Sequence, residues 1–213
     1  MLDEQFFIDL RKRTEEYFEE GGSHDHNHTD RVYRNALTIS NEEEADMDVV
    51  KAAALLHDIA RIKEDSGECE CHAETGAKMA EEILKELSFP KEKIESVVYA
   101  IKIHRHSSGI KPETKESAIL QDADRLDALG ATTIARMFSS GGKAGIPLYN
   151  PEKRKIKNHY KGQKSTIEGF NKKILKITPE TFKTKKAKEI AESRYAYVEN
   201  FIKRFINEWE GKE

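Results

Sequence analysis

Apolar residues recur along this chain at intervals of three and four, the spacing that gathers them on one face of an α-helix, and no alternating β-branched run is long enough to argue for a sheet. The pattern predicts an all-α fold. A first helix is expected over about 4–18, ending at Gly21-Gly22, and a second over 28–40 with Val32, Ala36 and Ile39 turned inward. Asp46 or Asp48 can cap a third helix running through Ala60, whose stripe of Val49, Ala53 and Leu56 leads into the doublet His57-Asp58. The polar stretch 63–71 reads as a loop. Helices follow over 72–87, from about Pro90 to His104, and over 115–138, the last broken by Gly141-Gly142, with 141–151 as an ordered loop. Helices over 165–176 and 184–209 complete the chain, and Ile190, Tyr197, Phe201 and Phe205 in the last form a stripe suited to a core or a homodimer surface. No internal repeat, heptad series or low-complexity tract is present.

A length of 213 residues, 37% hydrophobic and 35% charged, suits a single domain over 1–213, with a core over about 20–140 and a C-terminal helical region over about 141–210. The longest apolar run is the five residues Ala52 to Leu56, and the start Met1-Leu2-Asp3-Glu4 lacks the basic region of a secretory signal, so no membrane span and a cytoplasmic location are expected. Cys69 and Cys71 are read as reduced thiols, and a metal trio with His72 is the weaker alternative. The net charge is −3, yet residues 141–190 hold 14 Lys or Arg against 4 Asp or Glu, giving +10 there and −13 elsewhere. Solvated Lys-rich faces account for that asymmetry, and so does a polyanionic partner, either a small phosphorylated molecule or a nucleic acid.

His57-Asp58 is the feature most suggestive of chemistry, because an apolar helix seldom carries two adjacent metal-ligating side chains. Partners exist at long range: His28 upstream, and downstream Gln121-Asp122-Ala123-Asp124, in which Asp122 and Asp124 compete for one role. Two imidazoles and two carboxylates without thiolate suit Mn²⁺, Fe²⁺, Mg²⁺, Co²⁺ or Zn²⁺, and four protein ligands leave room for water and a substrate oxygen.

The residues around these positions extend the pattern. Ser23-His24-Asp25 precedes His28 and Arg31-Val32. Ala53 to Ile59, His72 with Gly76-Ala77, Ile103-His104-Arg105, Leu120 to Gly130, and Gly141-Gly142 to Tyr149 follow in order. Together they resemble the HD-domain superfamily of metal-dependent phosphohydrolases, in its small stand-alone prokaryotic form, over most of 20–210. The resemblance implies that His28, His57, Asp58 and Asp124 bind one divalent ion, Mn²⁺ preferred over Mg²⁺, Fe²⁺, Co²⁺, Zn²⁺ or Ni²⁺. It selects Asp124 by its flanks and leaves Asp122, about 200° round the helix, to orient another side chain. It also implies that Asp58 orients the attacking water. His72 and His104 are read as catalytic groups, a general acid or phosphate contacts, and a second ion held by them is the less favoured alternative.

Arg31, Lys102, Arg105, Arg125, Asp127, Lys143 and Tyr149 are the candidate substrate contacts, the cations for phosphate and Tyr149 for a base. His26, His106 and Gly169 depart from the family pattern, which bears on the substrate pocket and leaves the ligand set intact. The implied activity is hydrolysis of a nucleotide or another small phosphorylated metabolite, as a (deoxy)nucleoside triphosphate pyrophosphohydrolase or a nucleotidase. The competing readings are a phosphodiesterase and a nucleotide- or nucleic-acid-binding sensor without turnover.

Overall fold

Asp3 caps helix α1 (Glu4–Thr14) by accepting a hydrogen bond from the Phe6 amide at 2.9 Å, and a 3-10 turn, Glu15–Tyr17, ends the element. The computed structural model of the chain describes residues 2–18, 26–151 and 164–212. The expected Gly21-Gly22 stop, the Ser23-His24-Asp25 motif and residues 152–163 of the basic segment lie outside these. Helix α2 spans His26–Ser40, and α3 spans Met47–Leu56, with Asp46 accepting from the amides of Asp48 (3.0 Å) and Val49 (3.4 Å).

Two expectations need correction here. The third helix ends at Leu56 rather than Ala60, and the chain passes through a turn over 57–60. It then forms a short helix, α4 (Arg61–Ser66), where a loop was expected from residue 63. Its residues Arg61, Lys63, Glu64, Asp65 and Ser66 offer no apolar face for periodicity to detect. The helix stops at Gly67, whose φ of +81° is the left-handed conformation that glycine adopts without a Cβ penalty.

Helices α5 (His72–Glu86) and α6 (Lys91–Ile103) pack together as a hairpin, and α7 (Lys115–Asp127) follows. The short connection folds α6 back along α5, so the start of the one and the end of the other meet. Within the unit Met1–Leu126, α3 packs against α1, α2, α5 and α6. The core there includes Leu10, Val32, Ile39, Val50, Leu56, Leu84, Val97, Ile101, Ile119 and Leu120, all fully buried, and the inward stripes expected for α2 and α3 are buried as read.

The second unit, Asp127–Glu213, contains α8 (Ala131–Lys143), α9 (Thr166–Lys172), 3-10 turns at Ile174–Lys176 and Pro179–Thr181, and α10 (Lys185–Trp209). The helix expected over 115–138 is two helices, because Gly130 at φ +89° separates α7 from α8. Gly141-Gly142 does not break the helix: α8 runs through both to Lys143. Gly141 is fitted to its neighbour, since a Cβ there would overlap the Thr166 hydroxyl. The buried stripe of α10 is Ala187, Ala191, Val198 and Ile202 rather than the expected one, and Tyr197 is 55% exposed. Phe201 and Phe205 instead join Phe138 and Phe170 in an aromatic cluster with ring centroids 5.7–6.5 Å apart. Among the described residues the regular elements are all helical, and no helix is long and apolar enough to cross a membrane.

Candidate metal centre

The apolar interior of α3 drives the helix into the core, and its C-terminal end delivers His57 and Asp58 there fully buried. His57 Nδ1 donates to the Ala54 carbonyl at 2.8 Å, so the neutral ring carries its lone pair on Nε2, directed at the site. Burial pushes the His57 pKa down to about 4, against the pull of Asp58, which keeps that lone pair free near neutral pH.

His28, in the first turn of α2, places Nε2 3.4 Å from His57 Nε2. Asp58 Oδ2 lies 3.6 Å from His28 Nε2 and 3.7 Å from His57 Nε2, and Asp124 Oδ1 lies 3.4 Å from His28 Nε2. Burial works to raise the Asp124 pKa, but the hydrogen bond to His28 outweighs it and holds the carboxyl near about 2. Its side chain is 26% exposed, which leaves the group open on that side. Ligand atoms about 2.1 Å from one ion lie about 3.0–3.4 Å from each other at octahedral or tetrahedral angles. The His28–His57 and His28–Asp124 distances match that range, Asp58 stands 0.2–0.3 Å outside it, and the compact group is His28, His57 and Asp58, with Asp124 reaching it through His28; a donor set of two imidazoles and two carboxylates suits a divalent ion.

The other Asp58 oxygen faces a second pair. Asp58 Oδ1 is 3.2 Å from His72 Nε2 and 3.5 Å from His104 Nε2, and those two nitrogens are 3.4 Å apart. His104 caps the end of α6 and donates Nδ1–H to the Ile101 carbonyl at 2.6 Å. Burial lowers its pKa, but the hydrogen bond and the charge of Asp58 outweigh this and raise it overall. His72, the first residue of α5, points Nδ1 at Glu64 of α4. Thus His28, His57 and Asp58 form one buried group of metal-ligating side chains and Asp58, His72 and His104 form another, joined through one carboxylate. Among the described residues no such group includes Cys69 or Cys71.

The other candidates are distributed more widely. Asp122 is fully buried and Arg125, which follows Asp124, is nearly so. Burial lowers the Arg125 pKa, opposed by Asp122 and Asp124. Arg31 is half-buried one helical turn beyond His28, and Lys102 is exposed. Arg105 is occupied: Nη1 donates to Glu64 Oε1 at 3.2 Å and approaches Cys71 Sγ at 3.7 Å. In the second unit, Asp127 is paired with Arg136 at 2.8 Å, Lys143 is exposed at the end of α8, and Tyr149 packs edge-on against Phe205 and Trp209.

His26 sits against Arg11, with Nδ1 3.2 Å from its Nη2, His106 is exposed, and Gly169 is buried in α9. His24 lies outside the described residues. Glu64 and Arg61, both beside His72, were not singled out from the sequence. Both stand on the unrecognised helix α4, and nothing in their local pattern announces contacts eight and eleven residues away.

The HD domain family model matches residues 26–129 of this chain. The YpgQ protein of Bacillus subtilis is 31% identical over 193 residues, covering 87% of this chain and 84% of that one. Among solved structures, an HD-superfamily hydrolase from Bacillus thuringiensis is 31% identical, with a TM-score of 0.77 and 97% of each chain covered. One from an uncultured Thermotogales bacterium, described as a predicted HD-superfamily hydrolase, is 34% identical with a TM-score of 0.69, covering 95% of this chain and 92% of that chain. The structure of B. subtilis YpgQ in complex with ADP has a TM-score of 0.73 at 26% identity, covering 96% and 95%. The ordered His28, His57-Asp58 and Asp124 thus sit in a fold shared along almost the whole length of these proteins, and the chain belongs to the HD-domain superfamily.

Proposed function

We propose that this protein is a divalent-metal-dependent phosphohydrolase that cleaves a phosphoester or phosphoanhydride bond of a nucleotide. The observation that carries the reading is the convergence of His28, His57 and Asp58, whose ligand atoms lie 3.4–3.7 Å apart in the buried interior, with Asp124 joining through His28 at 3.4 Å on its partly exposed side. These four are assigned as ligands of one ion, with Mn²⁺ preferred. Bound there, the ion supplies an activated water and neutralises charge on the phosphoryl oxygens. Asp58 orients the attacking water. We assign His72 and His104, whose Nε2 atoms face the same carboxylate, as groups that give a proton to the leaving oxygen from their imidazolium forms.

Arg125 and Arg31 are assigned to the phosphates, as groups that bind multiply charged oxygens through a planar fork. The ADP complex of B. subtilis YpgQ, a relative with the same fold, supports a nucleotide as substrate. Pyrophosphohydrolase and nucleotidase chemistry are both consistent with this assignment.

A second reading is favoured by one observation, the division of the Asp58 oxygens between two histidine pairs. In it, Asp58, His72 and His104 would hold a second ion, and the two histidines would be ligands rather than proton donors. One experiment addresses both readings: metal-stripped protein is assayed against nucleotides and generic phosphoesters with Mn²⁺, Mg²⁺, Fe²⁺, Co²⁺, Zn²⁺ and Ni²⁺. Phosphate is separated from pyrophosphate, bound ions are counted per chain, and Asp58→Ala serves as the blank. Turnover that depends on Asp58 supports the proposal, and the ion count decides between the readings. Nucleotide binding without turnover under every metal overturns it in favour of a sensor.

A further inference from the structure

His72 is held from two directions by one carboxylate. The Glu64 oxygen Oε2 accepts from the His72 ring at Nδ1 and from the His72 backbone amide at 3.1 Å. Cys71, the residue preceding α5, makes no side-chain cap, so Glu64 fills that place from the neighbouring helix. The other oxygen, Oε1, accepts from Arg105 Nη1 at 3.2 Å, and Arg61 lies 3.9 Å from Oε2. Two cations and one histidine thus fix both Glu64 oxygens, and α4 is pinned to the start of α5 and the end of α6.

The consequence falls on the opposite edge of the ring. Arg61 Nη1, a donor only, also lies 3.5 Å from His72 Nδ1, but the much closer Glu64 carboxylate, an acceptor only, outweighs it and draws the proton of the neutral ring to Nδ1, so that Nε2 is the atom facing Asp58 Oδ1 at 3.2 Å and His104 Nε2 at 3.4 Å. Rotation of the ring would give up the Glu64 contact. A carboxylate behind an imidazole sets both tautomer and orientation in this way wherever the forward nitrogen has work to do.

We propose that Glu64 is a positioning residue of the active site: by accepting from His72 Nδ1 it fixes the tautomer and direction of His72, so that Nε2 addresses Asp58 and the reacting phosphate. The catalytic part rests on the phosphohydrolase reading, whereas the positioning part is a property of the chain itself. The Nδ1 contact orients the ring in both roles: as a ligand His72 uses the Nε2 lone pair of the neutral ring, and as a proton donor it acts from the imidazolium, protonated at both nitrogens, which the Glu64 carboxylate accompanies.

The test separates the two. Full-length, metal-stripped protein labelled with ¹⁵N-histidine is examined by NMR at a pH where the rings are neutral, with His72→Gln identifying the His72 signals. Wild type and Glu64→Gln, whose amide oxygen still accepts, are expected to show His72 protonated at Nδ1. Glu64→Ala is expected to lose that form to a mixture of tautomers. Where Ala fails to fold, Glu64→Asp withdraws the carboxylate by one methylene and gives the same comparison. A His72 tautomer unchanged in the variant overturns the positioning role with no reference to any substrate.

In the Mn²⁺ enzyme, Glu64→Ala is expected to lower kcat at least about tenfold, the scale seen when an orienting partner is removed, and Glu64→Gln to recover most of it. KM is expected to stay within about twofold, as for an interaction made chiefly in the transition state. An altered tautomer with kcat unchanged in an active enzyme overturns the catalytic part. An altered tautomer in a protein whose wild type turns over no phosphoester supports the positioning role and counts against the phosphohydrolase reading instead.

Discussion

His57 is buried with its Nδ1–H committed to Ala54, and this gives the metal-free protein a pH dependence of definite sign. The unfolded chain protonates this ring near its ordinary 6.5, but the folded chain does so only at about 4. Its contribution to stability is therefore full above pH 6.5 and is lost as pH falls to about 4. Asp124 and Glu64, both held near about 2 below ordinary values of 3.8 and 4.5, add their losses at lower pH. The raised His104 acts the other way, contributing below pH 6.5 and fading as pH rises. His57→Gln should flatten the decline of Tm between pH 6.5 and 4 in metal-free protein, and an identical slope in both proteins would contradict the burial argument. The choice between Asp122 and Asp124 is also made at this scale. Asp124 reaches His28 and keeps an open side, whereas Asp122 is fully buried. Calorimetric titration with Mn²⁺ should find Asp124→Ala weakened at least about tenfold and more than Asp122→Ala, and the reverse order would reassign the ligand. Both carboxylates were visible as candidates because they sit two apart in one motif. Glu64 was not, because its importance lies in a through-space contact with His72.

Element boundaries are set by single residues whose backbone demands the periodicity of apolar side chains does not register. Gly130, at φ +89°, divides what reads as one helix over 115–138, and a Cβ there would come within 3.3 Å of the Arg194 stem. Gly130→Ala is expected to destabilise by about 1–3 kcal/mol, the cost of a positive-φ extended backbone that essentially only glycine adopts. Denaturant unfolding would register the loss, and a midpoint unchanged from wild type would mean that the break has another cause. Gly141 and Gly142 show the reverse error: glycine in sequence suggested a stop, whereas α8 continues through both. The interiors of α2, α3, α5 and α6 were legible because their apolar stripes are long and face one core. Helix α4 was illegible because its polar residues act through partners on other helices, as Glu64 does. The stripe of α10 was misplaced by adjacent positions, each about 100° round the helix, where aromatic residues drew the reading from the smaller Ala187, Ala191 and Val198 that are buried.

For the molecule as a whole, charge and metal make separable predictions. The +10 balance of residues 141–190 invites a nucleic-acid partner, and an interface with six to ten phosphates would lose about 10³–10⁵ in affinity between 50 and 200 mM salt. A nucleotide brings few phosphates, so KM should move by less than about tenfold over that range. A collapse of the larger size would identify a polymer as the ligand. The metal prediction concerns folding itself. His28, His57, Asp58 and Asp124 come from α2, the end of α3 and α7, so an ion bound by all four ties together elements far apart in sequence and has no equivalent site in the unfolded chain. An ion at a hundred times its Kd then stabilises the fold by about 2.7 kcal/mol. Mn²⁺ should accordingly raise the Tm of the wild type and leave Asp58→Ala where it was. Removal of Asp58 takes an oxygen from both histidine pairs, so this variant should lose the whole metal effect, however many ions bind. His104→Gln distinguishes the cases. With one ion held by His28, His57, Asp58 and Asp124 the Mn²⁺-dependent rise in Tm survives this substitution, whereas with a second ion at Asp58, His72 and His104 part of the rise disappears together with one equivalent of bound metal.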